Sequence, residues 1–338
     1  MKAITYTSNG GPDVLTLTER PVPEPGPGEV RARVHVSGVN PTDWKSRRNT
    51  APASAQVPNQ DGSGVIDAVG SGVPETRIGE RVWIWEAAYG RADGTAQEYV
   101  ALPAGQAVAL PDHASFDLGA SLGIPALTAH RALTVADGGP ERLAPGALDG
   151  CTVLVAGGAG AVGNAAIQLA RWAGATVVST VSGPAKGDLA RAAGAHHVVD
   201  YRAQDAAAEI RRIAPDGVDI VVEVAPAANA ALDRAVAAPD AVIAFYADDD
   251  ASATVPVRPS MALNLRWQGV LVYTVPPAAK AHAVAAVTAA VADDALHAGP
   301  DAGLPFHRFP LAETARAHQA VEDSVIGKVL IDVAAPTG

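Results

Sequence analysis

The chain has 338 residues, 48% of them hydrophobic and 18% charged, with a formal net charge of -11. That charge disfavours nucleic-acid and anionic-membrane partners, which are held by clustered Lys and Arg, and an aromatic content of 4% leaves little for a base-stacking platform. A single cysteine, Cys151, excludes a disulfide framework and a zinc site built on several thiolates.

The N-terminal MKAITYTSNGG lacks the apolar run of a signal peptide, and no uninterrupted apolar stretch reaches the length of a membrane span, so a cytoplasmic location is expected. The first 110 residues or so read as β structure: ITYT, LTLTER, EVRARVHVSGV, GSGVIDAVGSGV, ERVWIW and AQEYVAL are short β-branched runs separated by Gly and Pro. Such spacing predicts a barrel-like β domain. Residues 115–135 turn helical around Pro125. From Cys151 the rhythm becomes strand–helix alternation, with CTVLVA, ATVVSTV, HHVVDY, VDIVVEVA, AVIAFYA and finally WQGVLVYT (267–274) as apolar strands. That pattern predicts a doubly wound parallel sheet. An Ala-rich helix (277–296), a helix in LAETARAHQAVED and a closing strand, GKVLIDV, complete the chain. A closing strand of this kind is expected to return to the first domain. The expected division is therefore 1–124 plus 275–338 as one domain and 125–274 as the other, inserted into it.

VLVAGGAGAVGNAAIQLA (153–170) places Gly158, Gly160 and Gly163 as G-x-G-x-x-G between a strand and a helix. The first glycine permits a tight turn, the second lets backbone approach a pyrophosphate, and the third lets helix pack on strand, while the helix N-terminus offers N–H groups to the anion. Within a βαβ unit this predicts a dinucleotide site. NAD sites carry an acidic residue about 20 residues onward to bond the ribose 2′-hydroxyl. Here the second strand runs out as STVSGPAK, which offers Ser182 and Lys186 and no carboxylate. A hydroxyl and an ammonium suit a 2′-phosphate, so the cofactor read from these residues is NADPH.

On these motifs, together with PVPEPGPGEVRARVHVSGVNPTD, IGERVW, GTAQEYV and LGASLGIPALTAHRAL, the sequence resembles the medium-chain dehydrogenase/reductase superfamily and, within it, the zinc-independent quinone oxidoreductases that include ζ-crystallin. The resemblance implies an α/β fold in which a GroES-like β-barrel catalytic domain receives an inserted Rossmann domain, and it implies a homodimer or tetramer. It also assigns cofactor contacts: Thr128 at the nicotinamide end, Gly158, Gly160, Ala161, Val162 and Gly163 around the pyrophosphate, Lys186 and Tyr201 at the 2′-phosphate, and Phe245 against the nicotinamide. Two positions depart from the family pattern. Tyr246, followed by ADDD, stands where a Gly is common, so it is expected to narrow the nicotinamide or substrate pocket. Pro239-Asp240 replaces a usual Gly-Gly.

Zinc-dependent relatives place a Cys where this chain has Asn40, and Gly-His-Glu where it has Asn59-Gln60-Asp61. Amides are poor zinc ligands, and His196-His197 point to opposite faces of a strand, so no metal is expected. Without a metal the substrate must already be electrophilic, which describes quinones and conjugated enones. The reading is an NADPH-dependent quinone oxidoreductase, with a 2-alkenal or enoyl reductase as the alternative and a binding or structural role as a further class. Asn40 is expected to donate an amide N–H to the developing oxyanion. Lys45, in VNPTDWKSR, either supplies a charge or proton there or faces solvent from its helix. Asp43 is expected to cap that helix, Asp61 to anchor a turn, and Arg47 and Arg48 to lie on the surface.

Overall fold

A computed structural model describes residues 1–248 and 251–333; Asp249 and Asp250 of the ADDD run, and 334–338, lie outside the described residues. β1 (Lys2–Thr5) and β2 (Thr16–Glu19) form an antiparallel pair. The eleven-residue β3 (Glu29–Val39) is the hub of the first sheet. Its Val30, Ala32 and Val34 are each 0% exposed while Arg33 between them faces water, the period-two signature of a strand with one covered face. α1 (Pro41–Asn49), β4 (Asp61–Val69), β5 (Arg81–Ile84), β6 (Tyr99–Pro103) and β7 (Ala107–Ala109) follow. α2 (Phe116–Leu133) runs through Pro125, as the sequence suggested.

The second sheet takes its strands from strict β/α alternation. β8 (Thr152–Ala156), α3 (Ala161–Trp172), β9 (Thr176–Val181), α4 (Pro184–Ala192), β10 (His197–Asp200), α5 (Ala206–Ile213), β11 (Val218–Glu223), α6 (Pro226–Val236), β12 (Ala237–Phe245), α7 (Val257–Ala262) and β13 (Arg266–Gly269) succeed one another. The strand order is β10-β9-β8-β11-β12-β13, every pairing parallel. The order reverses beside β8, so the loop after β8 stands at the switch point where open α/β sheets bind ligands. Leu154, Val178, Val199, Val221 and Ile243 build the core on one face of this sheet with Ile210 and Val236 from the helices.

α8 (Pro277–Ala292) precedes β14 (Phe306–Pro310), α9 (Thr314–Glu322) and β15 (Lys328–Asp332). β15 pairs antiparallel with β3, giving the order β14-β15-β3-β4-β5-β7 with β6 also on β3. The closing strand thus joins the first sheet, and Val329 and Ile331 enter its core. The fold is α/β, a GroES-like β unit with a Rossmann-like parallel-sheet unit inserted in its sequence.

Two compact units result, 1–124 with 305–338, and 125–304. Residues 275–304, expected in the first unit, belong to the second. Their tethers explain this: His297 N donates to Gln168 Oε1 at 2.8 Å, Asn164 Nδ2 to Ala302 O at 2.7 Å, and Trp172 Nε1 to Asp293 Oδ2 at 3.0 Å, all from α3. The last parallel strand is also shorter than expected. It stops at Gly269, and Val272–Thr274 form a 3-10 turn. An apolar run alone does not distinguish a strand from the turn that follows it.

Candidate active site

The glycine loop lies between β8 and α3. Its left-handed residue is Gly157, with φ +69°, and not Gly158, to which the motif reading gave the tight turn. Gly158 needs its missing Cβ for another reason: a methyl there would stand 2.2 Å from Ser179 Oγ. At Gly163 a methyl would meet Gly157 O at 2.5 Å, so glycine is what lets α3 press against its own loop. Gly160 is exposed and a methyl there would find only Gly157 O, at 3.5 Å, leaving open space above the backbone. Asn164 N–H makes the first helical bond, to Gly160 O at 2.8 Å. The N–H groups of Ala161, Val162 and Gly163 precede it and have no partner within the helix, so the positive end of the helix dipole and its free donors lie here, features that suit an anion.

The neighbouring strand ends converge on the same carboxyl edge. Ser182 follows β9, and Lys186 is half-buried on the first turn of α4. Tyr201 follows β10, where its N–H bonds Val181 O at 3.1 Å, and its ring is 50% exposed. The parallel order β10-β9-β8 therefore places Gly158–Gly163, Ser182, Lys186 and Tyr201 along one edge of the sheet. Arg202, exposed beside Tyr201, adds a cation that motif matching did not single out. Phe245 ends β12 opposite Glu223, and Tyr246 N–H bonds Glu223 O at 3.1 Å. Burial and the Glu223 carboxylate raise the Tyr246 phenol above its ordinary value. Thr128 is buried within α2, at 5% exposure. Asp240 takes φ +62°, the left-handed conformation for which the usual glycine there is suited; Asp tolerates it better than most side chains.

Asn40 and Lys45 belong to the other unit. Asn40 precedes α1 and is 2% exposed. Its Nδ2 donates to Asp61 Oδ2 at 2.7 Å, and its Oδ1 accepts from Lys328 Nζ at 2.7 Å. The expected oxyanion donor is thus a buried bracket between a carboxylate and an ammonium, and that role is withdrawn for it. Asp43 does cap α1: its Oδ2 accepts from Asn40 N at 2.7 Å, and its Oδ1 from Gln60 N at 3.2 Å. Asp61 anchors through Ile124 N at 2.9 Å, from the first residue of β4 instead of a turn. Burial pushes Asp43 up to about 8, raises Asp61 and lowers Lys328, whose ammonium is 3.7 Å from Asp61 Oδ2. A second chain of bonds runs beside it. His318 Nε2, Asn59, Ser37 and Thr95 connect in steps of 2.7–2.9 Å, and Thr95 Oγ1 donates to Asp61 O at 2.6 Å. Burial drives His318 down to about 3, so it is a neutral hydrogen-bonding group here.

Lys45 sits half-buried on α1. Arg48 is exposed, as expected, but Arg47 is 0% exposed, held by Glu322 of α9 and by Gly10 O at 3.1 Å. An arginine in the last turn of a helix looks like surface in sequence; only the return of α9, far along the chain, supplies its carboxylate.

Residues 26–112 match the alcohol dehydrogenase GroES-like domain family and residues 161–289 the zinc-binding dehydrogenase family. The quinone oxidoreductase of Homo sapiens is 32% identical over 69% of this chain and 69% of its own. The chain belongs to the medium-chain dehydrogenase/reductase superfamily, in its zinc-independent quinone oxidoreductase-like family. The synaptic vesicle membrane protein VAT-1 homolog of Rattus norvegicus is 32% identical over 79% of this chain; the match spans 64% of that protein's length. Among solved structures, an NAD-dependent alcohol dehydrogenase superposes with a TM-score of 0.84 at 29% identity, over 99% of this chain and 100% of that one. A mycobacterial protein complexed with NADPH does so at 0.80 and 28% (98% and 99% covered), and a 2-haloacrylate reductase at 0.79 and 27% (99% and 100% covered).

Zinc, which one family description invokes, does not fit the residues this chain presents. Positions 40 and 60 are amides; the oxygen at 40 is bonded to the Lys328 ammonium, and Gln60 Oε1 accepts from Ala88 N at 3.1 Å. A dication there would face a buried positive charge. Lys328 was read only as part of a closing strand; the signal that marks it is a lysine among apolar strand residues, 1% exposed.

Proposed function

We propose that this chain is an NADPH-dependent quinone oxidoreductase that works without a metal. The carrying observation is the carboxyl edge of the parallel sheet. A glycine loop opens a helix N-terminus there, and the next strand ends in Ser182 and Lys186 with no carboxylate between 179 and 186. When bound, NADPH supplies a hydride from C4 of its nicotinamide. The N–H groups of Ala161, Val162 and Gly163 hold the pyrophosphate, and Ser182, Lys186 and Tyr201 hold the 2′-phosphate. Thr128 and Phe245 bound the nicotinamide, and Tyr246 restricts the space beside it. A quinone needs only positioning and a positive charge near the oxygen that becomes anionic, the part given to Lys45. The NADPH-bound mycobacterial relative supports the cofactor, and the human relative the acceptor. The reading extends to a homodimer in the cytoplasm with a small electrophile as its partner.

Reduction of α,β-unsaturated carbonyls is the second reading, favoured by Tyr246 in the place of a small residue and by the 2-haloacrylate reductase likeness. Steady-state NADPH oxidation with a naphthoquinone and with a 2-alkenal separates the two. The quinone is expected to give the larger kcat/KM; a much larger value for the alkenal replaces the first reading by the second.

A further inference from the structure

Among the described residues, two carboxyl groups are buried in the second unit with no cation bonded to them. Glu223, the last residue of β11, is 0% exposed, and Asp233 on α6 is 1% exposed. Glu223 Oε1 accepts from Ala225 N–H and, at 3.0 Å, from Asn229 Nδ2. Its Oε2 and both carboxyl oxygens of Asp233 find no N–H or cationic donor among the described residues. Asp233 stands one helical turn beyond Asn229, the α6 residue bonded to Glu223, and its carboxyl meets that of Glu223. Three buried acceptors with no donor are costly, and two such carboxylates side by side cost more. One hydrogen relieves most of this: an O–H on one carboxyl, donated to the other, engages two of the three oxygens and removes one of the two charges.

Glu223 is also well placed to act at a distance. Its bond to Ala225 N fixes Val224, whose Cγ1 lies 3.0 Å from where a Cβ on Gly157 would stand, so Val224 abuts the glycine loop. Its carbonyl receives Tyr246 N–H, and its register partner is Phe245. We propose that Asp233 is a positioning residue for the dinucleotide site, sharing a single proton with Glu223 so that the joined carboxyls fix the carboxyl ends of β11 and β12 beside the glycine loop. The positioning half of this rests on the NADPH reading above; the shared proton does not.

The surroundings leave the proton on the pair. β11 contributes Glu223, with Asp219 at its far end committed to Thr152 N; the segment after β12 contributes the Tyr246 phenol; β8 contributes no ionisable side chain. On α5, Arg211 is committed to the carbonyls of Ala235 and Ala237, and Glu209 pairs with Arg212. On α6 itself, Arg234 follows Asp233 in sequence. Burial, and then Glu223, push Asp233 up to about 9. The sign follows: a carboxyl whose folded value is raised contributes stability at low pH, which is lost as pH climbs from its ordinary value through about 9. Loss of the proton to solvent leaves two carboxylates behind the seat of an anionic cofactor.

Asp233→Asn tests this, because its amide can donate to Glu223 without titrating. Infrared difference spectra of wild type against Asp233→Asn and Glu223→Gln are expected to show the C=O band of a buried protonated carboxyl in wild type alone. Between pH 7 and 10 the Tm of wild type is expected to fall relative to Asp233→Asn. Over the same range the NADPH Kd of wild type is expected to rise about tenfold more than that of the variant. No such band, or parallel Tm profiles, overturns the shared proton. An equal rise of Kd in both proteins overturns the positioning role. Failure of any dinucleotide to bind overturns the proposed function and positioning together, while band and Tm still decide the proton.

Discussion

Lys328 shows how one residue can change the reading of a site. Its ammonium, 2.7 Å from Asn40 Oδ1 and 3.7 Å from Asp61 Oδ2, supplies the positive charge for two buried carboxyls, Asp43 and Asp61. Replacing it by methionine leaves those carboxyls uncompensated. Lys328→Met is expected to lower stability by about 3–5 kcal/mol, read as the change in urea midpoint at constant slope. A loss below about 1 kcal/mol would mean that the carboxyls are protonated in the folded protein and need no cation. Lys45 makes the opposite kind of claim, since its part in the proposal is chemical. Lys45→Ala is expected to cut kcat at least about tenfold, roughly 1.4 kcal/mol of barrier. Unaltered kinetics would place this lysine outside the reaction.

The element that carries the most chemistry is the β8–loop–α3 unit. Its motif was legible because each glycine answers a local steric demand, and the structure reassigns only which glycine answers which. Gly157 makes the turn, Gly158 clears Ser179, and Gly163 lets the helix touch the loop. A methyl at Gly163 meets backbone at 2.5 and 2.9 Å, and backbone cannot step aside as a side-chain tip can. Gly163→Ala is therefore expected to push α3 off its loop and weaken NADPH binding about tenfold or more, roughly 1.4 kcal/mol, by fluorescence titration. The helix N-terminus must point at the phosphates for the proposal to hold, so unchanged affinity would move the cofactor elsewhere. Other elements were less legible. WQGVLVYT reads as one strand, yet the chain turns after Gly269, and the helices in 277–322 fall on either side of the boundary at Leu304 and Pro305.

Across the whole molecule, the net charge of -11 opposes every anionic ligand, so cofactor choice rests on a few local groups. NADPH in 100-fold excess over its Kd is expected to stabilise the protein by about 2.7 kcal/mol, with a matching rise in Tm; NADH at equal concentration should give a clearly smaller shift. Equal shifts would remove Ser182 and Lys186 from the argument.

The sequence by itself determined the fold family, the insertion of a parallel-sheet unit, the dinucleotide loop and the absence of an acidic residue after β9. These are local or periodic properties: strand alternation, glycine spacing, and the composition of one strand end. The tertiary structure alone decided which buried polar groups meet. Asn40 and Lys328 are 288 residues apart, Arg47 and Glu322 are 275 apart, and Glu223 meets Asp233 because α6 folds back on β11, where Asn229 bonds Glu223. A polar residue destined for the interior looks like a surface residue in sequence, because burial and pairing are set by which segments pack together, and packing brings distant segments into contact.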